Sequence, residues 1–150
     1  MASLPDFVVT AGDYVPAERF VHSDCHLDVW VFDIKKGAAS QYVASTLNLA
    51  WPGRFAATAD TVMLTRLRVK EVRSTNQYYY ARGYMSETDI AFCLVVNDTL
   101  ERGNYWHPVY MFVDTATAMI AGREIFGFPK TIGLEVPKGD EPELGFELHT

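Results

Sequence analysis

A succession of short β-branched and aromatic runs, each closed by a cluster of turn-forming residues, constrains this chain more than any other feature. Such runs pack on pleated, half-buried surfaces. Leu27–Ile34 alternates in part and is predicted to be a strand, as is Thr61–Val72, where Val62, Leu64, Arg66 and Arg68 interleave with Met63, Leu67 and Val69. Ser74-Thr75-Asn76 reads as a turn into a strand over Gln77–Met85 that opens with three tyrosines. Ile90–Val96 is nearly continuous apolar sequence, the pattern of a strand buried on both faces. A polar loop over Asn97–Asn104 leads to a strand over Trp106–Val113, and further strands are expected at Thr131–Val136 and Leu144–Leu148, joined by a turn at Pro137–Asp140. Helical spacing is confined to Gly37–Leu47 and to Ala116–Phe126, the latter with Asp114 as N-cap and Gly127 and Pro129 as its stop. Many short strands with one or two helices give a mainly β fold, an antiparallel sandwich or barrel.

The chain has 150 residues, 49% of them apolar, which suits a single domain with its own core and shows no repeat or linker. A formal charge of -6 argues against a general affinity for nucleic acid or anionic membrane. No signal-peptide pattern opens the sequence, and no apolar run approaches the roughly 20 residues that span a bilayer. Cys25 and Cys93 form no CxxC pair. A reducing, cytoplasmic setting is expected. The last residues, Gly145–Thr150, look like a strand cut off before its turn; the single domain over 1–150 is therefore read either as complete or as completed by another chain.

Chemistry concentrates at Gly122–Lys130, where a lone lysine follows an aromatic stretch just past the predicted helix stop. An ammonium flanked by Phe126, Phe128, Pro129 and Ile132 either snorkels to water or is buried and loses its proton. A buried amine is a nucleophile able to condense with a ketone. His22 and His26 stand four apart but lack a sensibly spaced third ligand, so no metal site is expected. P-loop, GxGxxG and GxSxG signatures are absent from the sequence.

From Val109 onward the sequence resembles the acetoacetate decarboxylase family. The resemblance rests on Met111-Phe112-Val113-Asp114, Ala121-Gly122-Arg123-Glu124, Gly127-Phe128-Pro129-Lys130 and Gly133. It is specific over Val109–Leu134, weaker back to Tyr78 and faint before Thr61. It implies a cone-shaped barrel or sandwich, a homo-oligomer and Lys130 as the Schiff-base lysine, while the cut-off final strand leaves a two-chain assembly as the other expectation. Tyr84-Met85-Ser86-Glu87-Thr88 falls where the family has an acidic turn, which makes Glu87 the candidate general acid/base. Phe126, Phe128, Tyr84 and Arg123 are the expected pocket residues, with Arg123 and Glu124 helping to position the lysine loop. Glu71 is a weaker candidate for a second family glutamate.

Two departures shape the expectation. Thr131 follows Lys130 where the family's decarboxylases carry a second lysine, and no arginine aligns with the family's N-terminal one, Arg19 being near but out of step. Burial alone must then activate Lys130. The resemblance implies a lyase acting on a small oxo acid, by decarboxylation or by aldol condensation and dehydration. The protein supplies the iminium itself, so neither a metal nor pyridoxal phosphate is implied. The alternative is a non-catalytic binding barrel that keeps the family pocket.

Overall fold

The structure, a computed structural model, describes residues 19–81, 83–124, 127–137 and 146–149. Strand β1 (Phe20–Asp33) is followed by helices α1 (Ala38–Ser45) and α2 (Leu47–Ala50) and the short strand β2 (Phe55–Ala57). Then come β3 (Thr61–Ser74), a single helical turn α3 (Gln77–Tyr80), β4 (Met85–Asp98) and β5 (Gly103–Val113). Helix α4 (Ala116–Glu124), strand β6 (Lys130–Ile132) and a separate β7–β8 pair (Leu134–Pro137, Phe146–His149) complete the order.

The fold is mainly β. Six strands form one sheet, β1-β3-β4-β5-β6 with β2 on the far end of β4. β1, β3, β4 and β5 form an antiparallel meander, whereas β6 joins β5 in parallel, with Met111 opposite Lys130. The sheet is therefore mixed, and among the described residues it is not closed into a barrel. A parallel neighbour needs a crossover connection, and α4 provides it.

Strand alternation divides β4 into two working faces. Leu94 and Val96 point towards α1 and pack with Ala39 and Val43. Ala91 and Cys93 point the other way and pack with Met63. The second face also carries Glu87 and Asp89, four and two residues before Ala91.

Several elements differ from the sequence expectation, each for a local reason. β1 starts at Phe20 instead of Leu27, because thirteen of its residues are in register with β3 and its polar side chains find partners there. Asp28 takes the buried Arg66 guanidinium, and Lys70 lies 3.0 Å from Asp24. The tyrosine-rich segment makes a helical turn, not a strand. Ser74 Oγ accepts the Asn76 N–H at 3.1 Å and the Asn76 carbonyl accepts that of Tyr80 at 2.8 Å. β4 then begins at Met85 and takes in both Glu87 and Asp89. The expected loop over Asn97–Asn104 shrinks to 99–102, since the Asp98 carboxylate accepts the N–H groups of Leu100 and Glu101. The expected strand over Thr131–Val136 is split at Gly133, whose N–H donates to the Val113 carbonyl at 3.0 Å. Residues 138–145, including most of the expected turn at Pro137–Asp140, lie outside the described residues.

Asp98 anchors the β4–β5 turn and is held well below its ordinary pKa of 3.8 by hydrogen bonds from Arg54, against the opposing effect of burial. A depressed carboxyl stabilises the fold above its unfolded pKa, and that stability is lost as pH falls through the folded value. Asp98→Asn is expected to lower the melting temperature at pH 7 while leaving it nearly unchanged near pH 2. Thermal melts across that range would show this as a flattened acid limb. Equal loss at both ends would mean that charge is not what Asp98 contributes.

Candidate active site

Lys130 reaches its position through a chain of local steps. Thr115 Oγ1 accepts the Ala118 N–H at 3.2 Å, so Thr115 caps α4. The expected cap, Asp114, instead accepts the Thr88 N–H at 3.0 Å and ties the helix start to β4. Past the helix, Gly127 takes φ 69, a left-handed conformation that reverses the chain, and the Phe128 N–H donates to the Gly122 carbonyl at 2.9 Å. β6 then pairs with β5 so that Lys130 is opposite Met111, itself opposite Ala91 on β4. That register delivers the lysine to the face carrying Asp89.

The ammonium donates to both Asp89 oxygens, at 3.1 and 3.2 Å. Lys130 is 7% exposed, Asp89 6% and Glu87 7%. This is a buried, bidentate pair with a second carboxyl one β-repeat away. Burial raises the Glu87 carboxyl above its ordinary 4.5; the charges of Asp89 and Asp114 push the same way and Lys130 opposes them. The Asp89 carboxyl is also raised, because burial outweighs the attraction of the Lys130 ammonium. His22 Nε2, half-exposed on β1, stands 3.8 Å from Glu87 Oε1 at the solvent side of the cluster. A raised carboxyl next to a buried amine can move a proton at pH values where an exposed carboxylate cannot.

A cleft of about 290 Å³ adjoins Glu87, lined also by Arg68, Lys70, His26 and Thr88. Polar and apolar atoms share its wall about equally, and Lys130 is not among its lining residues. Among the described residues no group of three or more His, Cys, Asp or Glu is arranged to hold a metal ion.

The structure brings Lys130 and Glu87 together and leaves Tyr84, Arg123 and Phe128 exposed, although the Phe128 carbonyl accepts the Lys130 N–H at 2.8 Å. Tyr84 is 58% exposed, its ring 4.6 Å from the Arg73 guanidinium. Arg123 is exposed on α4, whose buried stripe is Ala118, Ala121 and Gly122. Phe128 is 40% exposed, and Phe126 lies outside the described residues. Glu71 is engaged with Arg73 at 3.0 Å, away from the lysine. The residue that sequence reasoning missed is Asp89. Its signal was the i, i+2 spacing of Glu87 and Asp89, which becomes informative only if β4 starts before Ile90.

The acetoacetate decarboxylase family model matches residues 8–146, nearly the whole chain. The chain belongs to the acetoacetate decarboxylase family. Its fold is similar to a crystal structure of acetoacetate decarboxylase from Legionella pneumophila, with a TM-score of 0.64 at 15% identity, over 90% of this chain and 48% of that one. A second solved acetoacetate decarboxylase gives a TM-score of 0.55 at 17% identity, over 83% of this chain and 45% of that one. The chain thus spans about half the length of the decarboxylase structures it matches. No curated protein matches it at a significant level. Among the described residues no helix is long and apolar enough to cross a membrane.

Proposed function

We propose that this acetoacetate decarboxylase family member is a Schiff-base-forming lyase acting on a small oxo acid through Lys130. The observation that carries the reading is the buried Lys130–Asp89 pair with Glu87 beside it. An anion at 3.1 Å would keep a lysine charged in water, so the amine must first be freed. Transfer of one ammonium proton to Asp89 leaves a neutral pair, and burial favours neutral pairs over ionic ones. The raised proton affinity of Asp89 works in the same direction.

The neutral amine then attacks the keto carbon and forms a carbinolamine. The Asp89 carboxyl returns its proton to the departing hydroxyl, water leaves, and a protonated imine remains. That iminium accepts the electron pair released when the C–CO2 bond breaks, giving an enamine. Glu87, poised to hold or give a proton, protonates the enamine carbon. In the aldol course no CO2 leaves: the iminium instead loses a proton from the adjacent carbon to the Asp89 carboxylate, and the enamine so formed adds to an aldehyde, whose oxygen is later lost as water. Hydrolysis of the product imine restores Lys130.

Thr131 follows Lys130 on β6, so no neighbouring lysine raises the electrostatic cost of the ammonium. A non-catalytic small-molecule-binding protein in which Lys130 and Asp89 form only a structural ion pair is the second reading, favoured by that same strong pairing. Incubation with pyruvate or acetoacetate in the presence of borohydride, followed by peptide mass mapping, distinguishes them. The expected result is a reduced adduct on the peptide containing Lys130, absent from Lys130→Arg. An adduct-free wild-type chain with every oxo acid tried would leave the binding reading standing. Assembly as a homo-oligomer or with a second chain belongs to the same proposal, and sedimentation of the purified protein measures it.

A further inference from the structure

Gly122 sits within α4, two residues before its last residue Glu124, on the buried stripe with Ala118 and Ala121. Helix propensity disfavours glycine there, because alanine gives up less backbone freedom on entering a helix. The gain is blocked by a specific neighbour. A Cβ on Gly122 would lie 2.3 Å from Lys130 Cδ, 2.9 Å from Cε and 3.1 Å from Cγ. The lysine stem therefore rests directly on the helix backbone at a point where no side chain fits. The same residue's carbonyl accepts the Phe128 N–H, fixing the turn that leads into Lys130.

From this close approach we infer that Gly122 is the positioning residue for Lys130. It provides a side-chain-free surface along which the stem is laid so that Nζ meets both oxygens of Asp89. A lysine has enough rotatable bonds to snorkel towards water when its stem is displaced. The bare backbone at Gly122 makes the inward route available, and the helix wall excludes water from the methylenes. The role deepens the Schiff-base reading, on which its catalytic meaning rests, but the placement of Lys130 can be measured without it.

The test compares the wild type with Gly122→Ala in two assays on the full chain. The first is borohydride trapping with pyruvate. The second is competitive acetylation of Lys130 by acetic anhydride at fixed pH, scored by peptide mapping against the exposed Lys70. Trapping is expected to fall at least tenfold in G122A. The Lys130/Lys70 acetylation ratio is expected to rise severalfold, because the amine leaves its buried carboxylate. The melting temperature falls by up to roughly 10 °C, as for any loss of the buried Lys130–Asp89 pairing, while the chain still folds because the stem and not the backbone gives way. Val96→Ala, in the core cluster under α1, is the control; it lowers the melting temperature and leaves the acetylation ratio unchanged. Asp89→Glu on the G122A background restores part of the trapping, because the longer carboxylate follows the displaced ammonium. An acetylation ratio in G122A equal to wild type overturns the inference. So does a G122A chain that fails to fold, which would mean that the backbone absorbs the clash. If wild type traps no oxo acid while G122A still changes the ratio, the Schiff-base reading fails and the positioning role stands.

Discussion

Asp89→Ala is expected to destabilise the protein by about 3–5 kcal/mol, the usual cost of removing one partner from a buried ion pair. For a chain of this size that corresponds to a fall of roughly 10 °C in melting temperature. The size follows from burial on both sides: Lys130 and Asp89 are each less than a tenth exposed, and the ammonium's two hydrogen bonds of 3.1 and 3.2 Å both end on Asp89. Truncation strands a cation where water does not replace the lost partner. Replacing both members with apolar residues of similar volume, Asp89→Leu with Lys130→Met, is expected to recover most of the loss, because a buried ion pair is often no better than a packed hydrophobic one. Urea denaturation of the two single variants and the double variant would measure the coupling directly. A loss below about 1 kcal/mol for Asp89→Ala would show that Glu87 takes over the ammonium, and the bidentate pair would no longer be the element that holds Lys130.

Much of the sheet was legible because alternation is a local signal. Thr61–Val72 and Trp106–Val113 fall inside observed strands, and the helix before the lysine is present at Ala116–Glu124. The misreadings are positions where pairing or capping outweighs local composition. Nothing local in the polar stretch Val21–His26 marks a strand; thirteen residues of β1 in register with β3 make it one. Conversely, Tyr78, Tyr79 and Tyr80 have strand-like side chains, yet the polar turn before them starts a helix. The second error concealed part of the site. With a strand drawn over Gln77–Met85 and the next from Ile90, Glu87 falls in a turn and Asp89 in neither strand, whereas in β4 they share one face with Ala91. Lys130 was identified by its aromatic surroundings and by resemblance. Its counter-ion was not, because an ion pair between residues 41 apart in sequence has no local signature.

Two sets of carboxyls oppose each other in the pH dependence of this fold. Asp98 is held below its ordinary value and its contribution disappears in acid, whereas Glu87 and Asp89 are raised and penalise folding as pH rises. For a raised carboxyl the folded state binds the proton more tightly. Its stabilising effect is complete below the unfolded value, ordinarily 4.5 for Glu87, and is lost as pH climbs through the higher folded value. Glu87→Gln replaces the buried acid with a neutral amide of similar shape, so the variant is expected to match wild type near pH 4 and to exceed it at pH 8. The gain is about 1.4 kcal/mol for each tenfold difference in proton affinity between folded and unfolded Glu87. A smaller slope of the same sign remains in the variant, contributed by Asp89. Because Glu87 is the proposed proton donor to the enamine, the stabler variant is also expected to trap oxo acid on Lys130 as wild type does while turning over far more slowly. Denaturation at pH 4, 6 and 8, together with trapping and turnover in one preparation, tests both halves. A stability difference that does not grow with pH would mean that Glu87 is not desolvated in the folded protein, and it would then lose its claim to the proton-donor role.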